Sequence, residues 1–474
     1  MAKDTVHASR QRPTMSRRRL VQSGGALAAG GLLVSTTTPG AIARQDKRTL
    51  YIKGSTRTYP GEDQAWQEVV TAFGEEFGVN VDTRFSGTWD GFIQQLQTIR
   101  LAQEPVDVIT SGANTINSIQ ARSGVLMDLT EIIKPFRDRF EDYSMNALII
   151  GDHAWGIPMG GVESSAVFYN VDMFKKLGIE PPKTYADTVA IAKTLAEQGE
   201  VMPWIHQGKA TVMWPMWFFE TYAQTTKNKS IETLDLFLKG ERKFTSPEEI
   251  EAFAAIGRFA QDGVLARESL DTDGDGMRAA FAQQRAAMMY GGTWEIANLR
   301  AVVTDFEIGI FEFPLVTDDP NVISQHGGGT SPAIALPSFV SEGNLDLAAQ
   351  FLEYTSRPAV ANKLIAPAAP IGASVKGVES IDDPLAEPLR KTFFPNTIRF
   401  LDWIWPIEVN DAVVDGISGV VAGSTTPEDA AAGVQSAFET LVAEKDYQYN
   451  WWESWTEDDW KKVTPETIPN VVLG

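Results

Sequence analysis

Three sets of residues in this chain are of types that could do chemistry. Tryptophan is frequent, 13 in 474 residues, and one of them, Trp294 in the stretch GGTWEI, follows two glycines that leave the backbone beside it bare. An indole beside bare backbone offers a flat face, and such faces pack on the C–H surface of a pyranose while polar neighbours take the hydroxyls. Packing into a core is the competing use of the same residue. The second set is DTDGDGM at 271–277. Asp271, Asp273, Asp275 and Gly276 copy the start of a calcium loop, but the twelfth position, which should be a bidentate glutamate, is Ala282. A polar loop with a helix cap before MRAAFAQQ is the preferred reading, and a calcium ion would need a carboxylate from a distant segment. The third set is His153, His206 and His326, which make no HExxH or paired-histidine spacing, so a catalytic zinc is not expected. No GxSxG elbow, phosphate loop or dinucleotide fingerprint occurs, and no cofactor is expected. Cysteine is absent, which excludes disulfides, thiolate metal sites, a cysteine nucleophile and the lipid-modified cysteine that tethers many exported proteins.

These residues need elements to position them. Residues 1–43 are set aside first, because Arg17 and Arg18 follow Ser16 and precede a weakly apolar Ala/Gly-rich run and the A-x-A pattern Ala41-Ile42-Ala43. They read as a twin-arginine signal peptide, with a retained anchor as the weaker alternative. Residues 1–43 hold six of the 41 Lys/Arg and one of the 62 Asp/Glu, so the mature balance is 35 bases against 61 acids, or −26. That field repels nucleic acid and anionic membrane. A soluble, periplasmic or extracellular monomer is expected.

Beyond the signal, TLYIKG alternates like a strand. Trp66, Val69, Val70, Phe73 and Phe77 then fall on one helical face, VNVDTRF alternates again, Phe92, Ile93, Leu96 and Ile99 mark a second helix, and VDVIT a third strand. This is the order of a doubly wound sheet, whose ligands lie beyond the carboxyl ends of its strands. Trp89 in the post-strand loop SGTWDG is a candidate for the cleft edge or for the core. Thr184 is placed to cap a helix after GIEPPKT. A second α/β unit is expected over 165–325, ending near QHGGGTSPAIALP in a glycine-rich turn and an apolar strand that returns to the first sheet.

Five stretches carry a resemblance: EPVDVITSGANTINSIQARSGVLMDLT, HAWGIPMGGVESSAVFYNVDMFKKLGIEPPKTYADTVAIAKTL, AAFAQQRAAMMYGGTWEIANL, AAQFLEYTSRPAV and GSTTPEDAAAGVQSAF. In this order the chain resembles the extracellular solute-binding proteins of ABC sugar importers, family 1, which are maltose-binding-protein-like. The resemblance implies a two-lobed, periplasmic-binding-protein-like (type II) α/β fold, two doubly wound domains with a hinge and an interlobe cleft. The first lobe would hold 46–161 plus about 328–367, and the second 165–325 plus about 370–474. The Trp-rich acidic tail, with Trp451, Trp452, Trp455 and Trp460, is expected to wrap and pin the second lobe.

Site positions follow from the same motifs. Glu163 lies six residues before Tyr169, where such sugar binders often place a cleft carboxylate; a carboxylate accepts two charge-assisted bonds from adjacent hydroxyls. Trp294 falls on the family's cleft tryptophan, with Thr293 where proline is common. Trp405 resembles the late-helix tryptophan of the cleft, although Trp403 competes for that role. Trp214 matches a WP step, and Asn114 lies in a loop where relatives use polar side chains. Lys209 and Thr211 replace a glutamate and a tyrosine of the maltodextrin binders, which argues against that specificity. The implied function is non-enzymatic capture of a carbohydrate and delivery to ABC importer permease subunits. The alternatives are a non-sugar solute such as a polyamine, for which Glu163, Asp90 and Glu295 are available acids, or a secreted carbohydrate-active enzyme.

Overall fold

In the computed structural model the alternation at Thr49–Gly54 forms a strand (β1), and the apolar stripe Trp66, Val69, Val70, Phe73 is the buried face of a helix over Glu62–Phe77. Gly78, at φ 67°, ends that helix in the left-handed conformation that glycine adopts most cheaply. The structure describes residues 47–474 apart from 56–59, 87–88, 113–120, 160, 200, 211–212, 331, 369–371, 379–382 and 446, and apart from the side chains of 89–91, 93–94 and 445. The N-terminal segment read as an export signal therefore lies outside the described residues.

The remaining strands are β2 (Asn80–Phe85), β3 (Val108–Ser111), β4 (Ile149–Ile150), β5 (His153–Ala154), β6 (Ile157–Pro158), β7 (Gly161–Asn170) and β8 (Met202–Ile205). They continue with β9 (Ala286–Gly292), β10 (Ile308–Phe311), β11 (His326–Thr330), β12 (Ala333–Ala335), β13 (Gly372–Ala373) and β14 (Thr397–Arg399). One sheet has the order β2-β1-β3-β12-β6; β1 is parallel to β2 and β3, and β12 runs antiparallel to β3 and β6. The second sheet has the order β14-β11-β7-β9-β8, with β10 and β13 also pairing with β7. Two sheets with helices between their strands make two α/β lobes, as the sequence pattern implies.

Among the described residues the chain passes from the first sheet to the second between β6 and β7, back between β11 and β12, and again from the helix Pro358–Ile365, packed in the first core, to β13 on β7. The glycine-rich stretch 327–329 departs from expectation. It is not a turn but strand, paired with β7 on one side and β14 on the other, and the return to the first sheet falls between Thr330 and Ala333. Thr184 does cap the helix Tyr185–Ala196, its hydroxyl accepting from the Asp187 N–H while the Asp187 carboxylate accepts from the Thr184 N–H.

The C-terminal tail corrects another expectation in part, because beyond Tyr447, which packs on Phe438 of the second lobe, its contacts run onto the first lobe. Trp155, fully buried between β5 and β6, is surrounded by Trp451, Trp455 and Trp460 at ring-centroid distances of 5.9, 6.0 and 6.1 Å. His153 stacks on Trp460 at 4.1 Å and holds Asp128 through Nδ1 at 2.6 Å. Farther along, Val471 joins the first core, and the Gly474 N–H donates to Glu353. Trp155 needs apolar partners that the first sheet alone does not supply, and the tail provides them. Trp155→Ala should therefore cost about 3–5 kcal/mol of stability, measured by urea unfolding of the full chain.

Candidate functional site

The chain passes between the two sheets at β7 and β11, and Glu163 of β7 comes close there to Thr293 and Trp294, which follow the neighbouring strand β9. Both glycines of GGTWEI lie inside β9 rather than in a turn after it, and Trp294 sits at the N-terminus of the helix Glu295–Val302. Thr293 is fully buried: its N–H donates to the Ser164 carbonyl at 2.9 Å, and its hydroxyl accepts from the Ser164 N–H at 3.2 Å. It thus ties β9 to β7 and faces no ligand. Glu163, next to Ser164, is 8% exposed and stands opposite Gly329 in the β7–β11 pairing.

Glycines make room for a row of aromatic rings. A Cβ on Gly292 would lie 2.1 Å from the Trp294 ring, one on Gly327 2.7 Å from Phe400, and one on Gly329 2.9 Å from Trp403. Gly329 also has φ +140°, which side-chain-bearing residues rarely adopt. The ring centroids of Trp294 and Phe400 are 6.1 Å apart, and those of Phe400 and Trp403 5.1 Å. Phe400 and Trp403 are buried at 7% and 6%, so the half-buried Trp294 is the ring of this row most open to a ligand. Phe400 and the seats in 327–329 escaped sequence reading. The signal was the glycine run itself, read as a turn because glycine serves turns and close approaches alike.

Trp405 and Trp214, both proposed for the cleft, pack into the core, although Trp405 also lines a cavity of about 560 Å³ beside Trp403. Trp405 is 1% exposed, packs on Phe218 and Phe219 at 6.2 and 5.7 Å, and donates from Nε1 to Asn410 at 3.1 Å. Trp214 lies under Gly208 and 4.7 Å from the ring of His206, whose pKa burial pushes down to about 3. Each stands at the start of a helix whose inward face needed a large apolar side chain. Trp89 begins the helix Trp89–Ala102, but its side chain, like all of Asn114, lies outside the described residues. In the aspartate-rich loop, Asp273 caps the helix Gly274–Ala282 and Asp275 pairs with Arg278 at 2.7 Å, while Asp271 ends the short 3-10 turn Arg267–Asp271. Among the described residues no three His, Asp or Glu converge as a metal would require.

Beneath β11 lies a fully buried acid, Glu220, on the helix Pro215–Thr225. It accepts from the Ser165 hydroxyl, from the Tyr290 hydroxyl at 2.9 Å and from the Gly327 N–H at 3.4 Å. Its other oxygen and His326 Nδ1 face each other at 3.9 Å. Desolvation raises the Glu220 pKa from its ordinary value, with His326 and the donors opposing. A raised folded-state value favours the native state at low pH and loses that contribution as pH climbs from the ordinary carboxylate value through the folded one. Glu220→Gln should flatten this part of the stability–pH profile, read from melting temperatures across pH 4–8.

A cavity of about 790 Å³ is bounded by Tyr143, Val162, Gly372, Phe394 and Arg399, and neither Trp294 nor Glu163 is among its described walls. A roomy cavity therefore does not by itself mark the site. The geometry marks instead a row of rings on a glycine floor with a carboxylate beside it, where two lobes join. The family model for bacterial extracellular solute-binding proteins matches residues 58–362, more than half of the chain. The chain belongs to this family. Among curated bacterial extracellular solute-binding proteins and their relatives, a multiple sugar-binding protein of Streptococcus mutans is 22% identical over 283 residues, 58% of this chain and 63% of that protein. An alpha-glucosides-binding periplasmic protein of Rhizobium meliloti is 26% identical over 237 residues, 44% of this chain and 48% of that protein. The chain thus matches less than two thirds of the length of these relatives. The solved structure of a chitin oligosaccharide binding protein superposes with a TM-score of 0.73 at 18% identity, covering 84% of this chain and all of that one. That likeness shows the two-lobed solute-binding fold.

The close seat of Trp294 gives this solute-binding protein a testable dependence. Gly292→Ala should destabilise by about 1–3 kcal/mol through overpacking, and the penalty should shrink in a Trp294→Ala background. A double-mutant cycle by chemical unfolding measures that coupling.

Proposed function

We propose that this solute-binding protein is an exported, non-enzymatic receptor that captures a carbohydrate between its lobes and delivers it to the permease subunits of an ABC importer. The observation that carries this is the row Trp294, Phe400, Trp403 with Glu163 beside it at the junction of the two sheets. Aromatic faces take the apolar side of a sugar ring, and the carboxylate takes its hydroxyls. Relatives named for sugars, alpha-glucosides and chitin oligosaccharides support the same solute class. Closure follows if the ligand touches both lobes, since a ligand shifts an open–closed equilibrium only through its differential affinity for the two states. Export by the twin-arginine route, a soluble monomeric state without a cysteine anchor and the absence of a cofactor belong to this proposal.

A polyamine receptor would need several acids around the aromatic row. Glu295, one of those considered, is buried and held by Arg278 at 2.8 Å, so it offers no free carboxylate to a cationic solute. Carbohydrate is therefore preferred. In a thermal-shift screen against a sugar panel, a cognate ligand should raise the melting temperature. Trp294→Ala should then weaken its binding by about 2 kcal/mol or more, measured by fluorescence titration, and unchanged affinity would remove Trp294 from the site.

A further inference from the structure

A second cavity, about 560 Å³, adjoins the Trp403 end of the aromatic row. Trp403, Tyr447, Tyr449 and Trp452 line it, together with Arg122 and Arg399. Tyr447 and the tryptophan belong to the C-terminal segment, and Arg122 comes from the chain between β3 and β4, so three parts of the molecule enclose the space.

Two arginines meet at this chamber, Arg122 and Arg399, the second of which also walls the cavity of about 790 Å³. Elsewhere, inward-lying arginines are matched with carboxylates: Arg139 with Glu353 at 2.7 Å, Arg242 with Glu249 at 2.8 Å, Arg278 with Glu295 at 2.8 Å and Arg357 with Glu353 at 2.8 Å. Arg399 breaks that pattern in a chain rich in acids. Its Nε is sealed from solvent without a hydrogen-bond partner, and its one long bond, 3.5 Å, goes to the carbonyl of Ala147. Desolvation lowers its pKa, although part of the residue still reaches solvent. Arg122 lies 4.7 Å from the centre of the Tyr447 ring. Among the described residues no ion pair of Arg122 or Arg399 with a carboxylate is found. Leaving a desolvated guanidinium unpaired is costly, and a planar carboxylate is the group whose geometry matches it best.

We propose that this chamber receives the acidic unit of an oligosaccharide, a uronate whose carboxylate pairs with Arg399 and Arg122 while its neutral neighbours lie along Trp403, Phe400 and Trp294. The proposal rests on the carbohydrate reading and narrows it to acidic saccharides. The full chain without its first 43 residues would be titrated with galacturonate- and glucuronate-bearing oligosaccharides, and with the same oligosaccharides after reduction of the carboxyl to the alcohol. The acidic form should bind about ten-fold more tightly or better, with a preference that shrinks at high salt. Arg399→Gln should bring the acid-to-neutral ratio close to one, Arg122→Gln should lower it in part, and Arg399→Lys should recover some of it. The wild-type comparison needs no variant to fold. Neutral sugars bound as tightly as acidic ones, or a preference that survives in a folded Arg399→Gln, would overturn the proposal and leave the carbohydrate reading standing. If no sugar of either kind binds, both fall.

Discussion

The structure depends on a strand whose three central residues, Gly327–Gly329, carry no side chains. β11 runs between β7 and β14, and at Gly328 an added Cβ would lie 2.2 Å from the Glu163 carbonyl oxygen. No larger residue lets the two backbones close at that point. Three residues past the end of β11 the chain is already β12 of the other sheet, so the close approach occurs where the lobes are joined. The same bare strand seats Phe400 and Trp403, which means that the interlobe passage and the aromatic row are built on the same glycines.

Under that strand the polar groups are tied to one another. Glu220 gathers donors from β7, β9 and β11, three strands of one sheet, onto a helix that is buried along nearly its whole length. A buried node of this kind rigidifies because each unmade bond would leave a desolvated polar group. The β9 end is fixed a second time by the paired Thr293 and Ser164 bonds. Trp294 and Glu163, each one residue from that pair, are therefore presented by stiff backbone, and a site on rigid elements spends less of its interaction energy on ordering.

The C-terminal segment adds a constraint of a different kind. Tyr447 packs on Phe438 of the second lobe and under Arg122 of the first, and Trp452 lies close over Gly151 of the first-lobe hairpin β4–β5. Trp451, Trp455 and Trp460 then close around Trp155. The tail touches both lobes and walls the chamber that holds Arg399, so its tryptophans contribute packing first and shape the neighbouring cavity as a consequence.

Local pattern and family motifs determined a good deal. The period-two and period-3.6 stripes around Trp66 and Phe73 marked the first sheet's opening units, the Thr184 capping box marked a helix start, and the motifs around Tyr169 and Trp294 marked the solute-binding fold. These are short-range or statistical properties, written in the residues themselves. Tertiary structure decided which of several similar tryptophans face a site. Trp214 and Trp405 have the same side chain as Trp294, and only the partners folded around them, His206 and Gly208 for one, Phe218 and Phe219 for the other, make them core. It also decided that 327–329 is strand, since a glycine run permits turn and close pairing equally until β7 approaches it. That no carboxylate among the described residues pairs with Arg399 was likewise invisible in the chain, because ion pairing between distant segments is fixed only when packing brings them within a few ångströms.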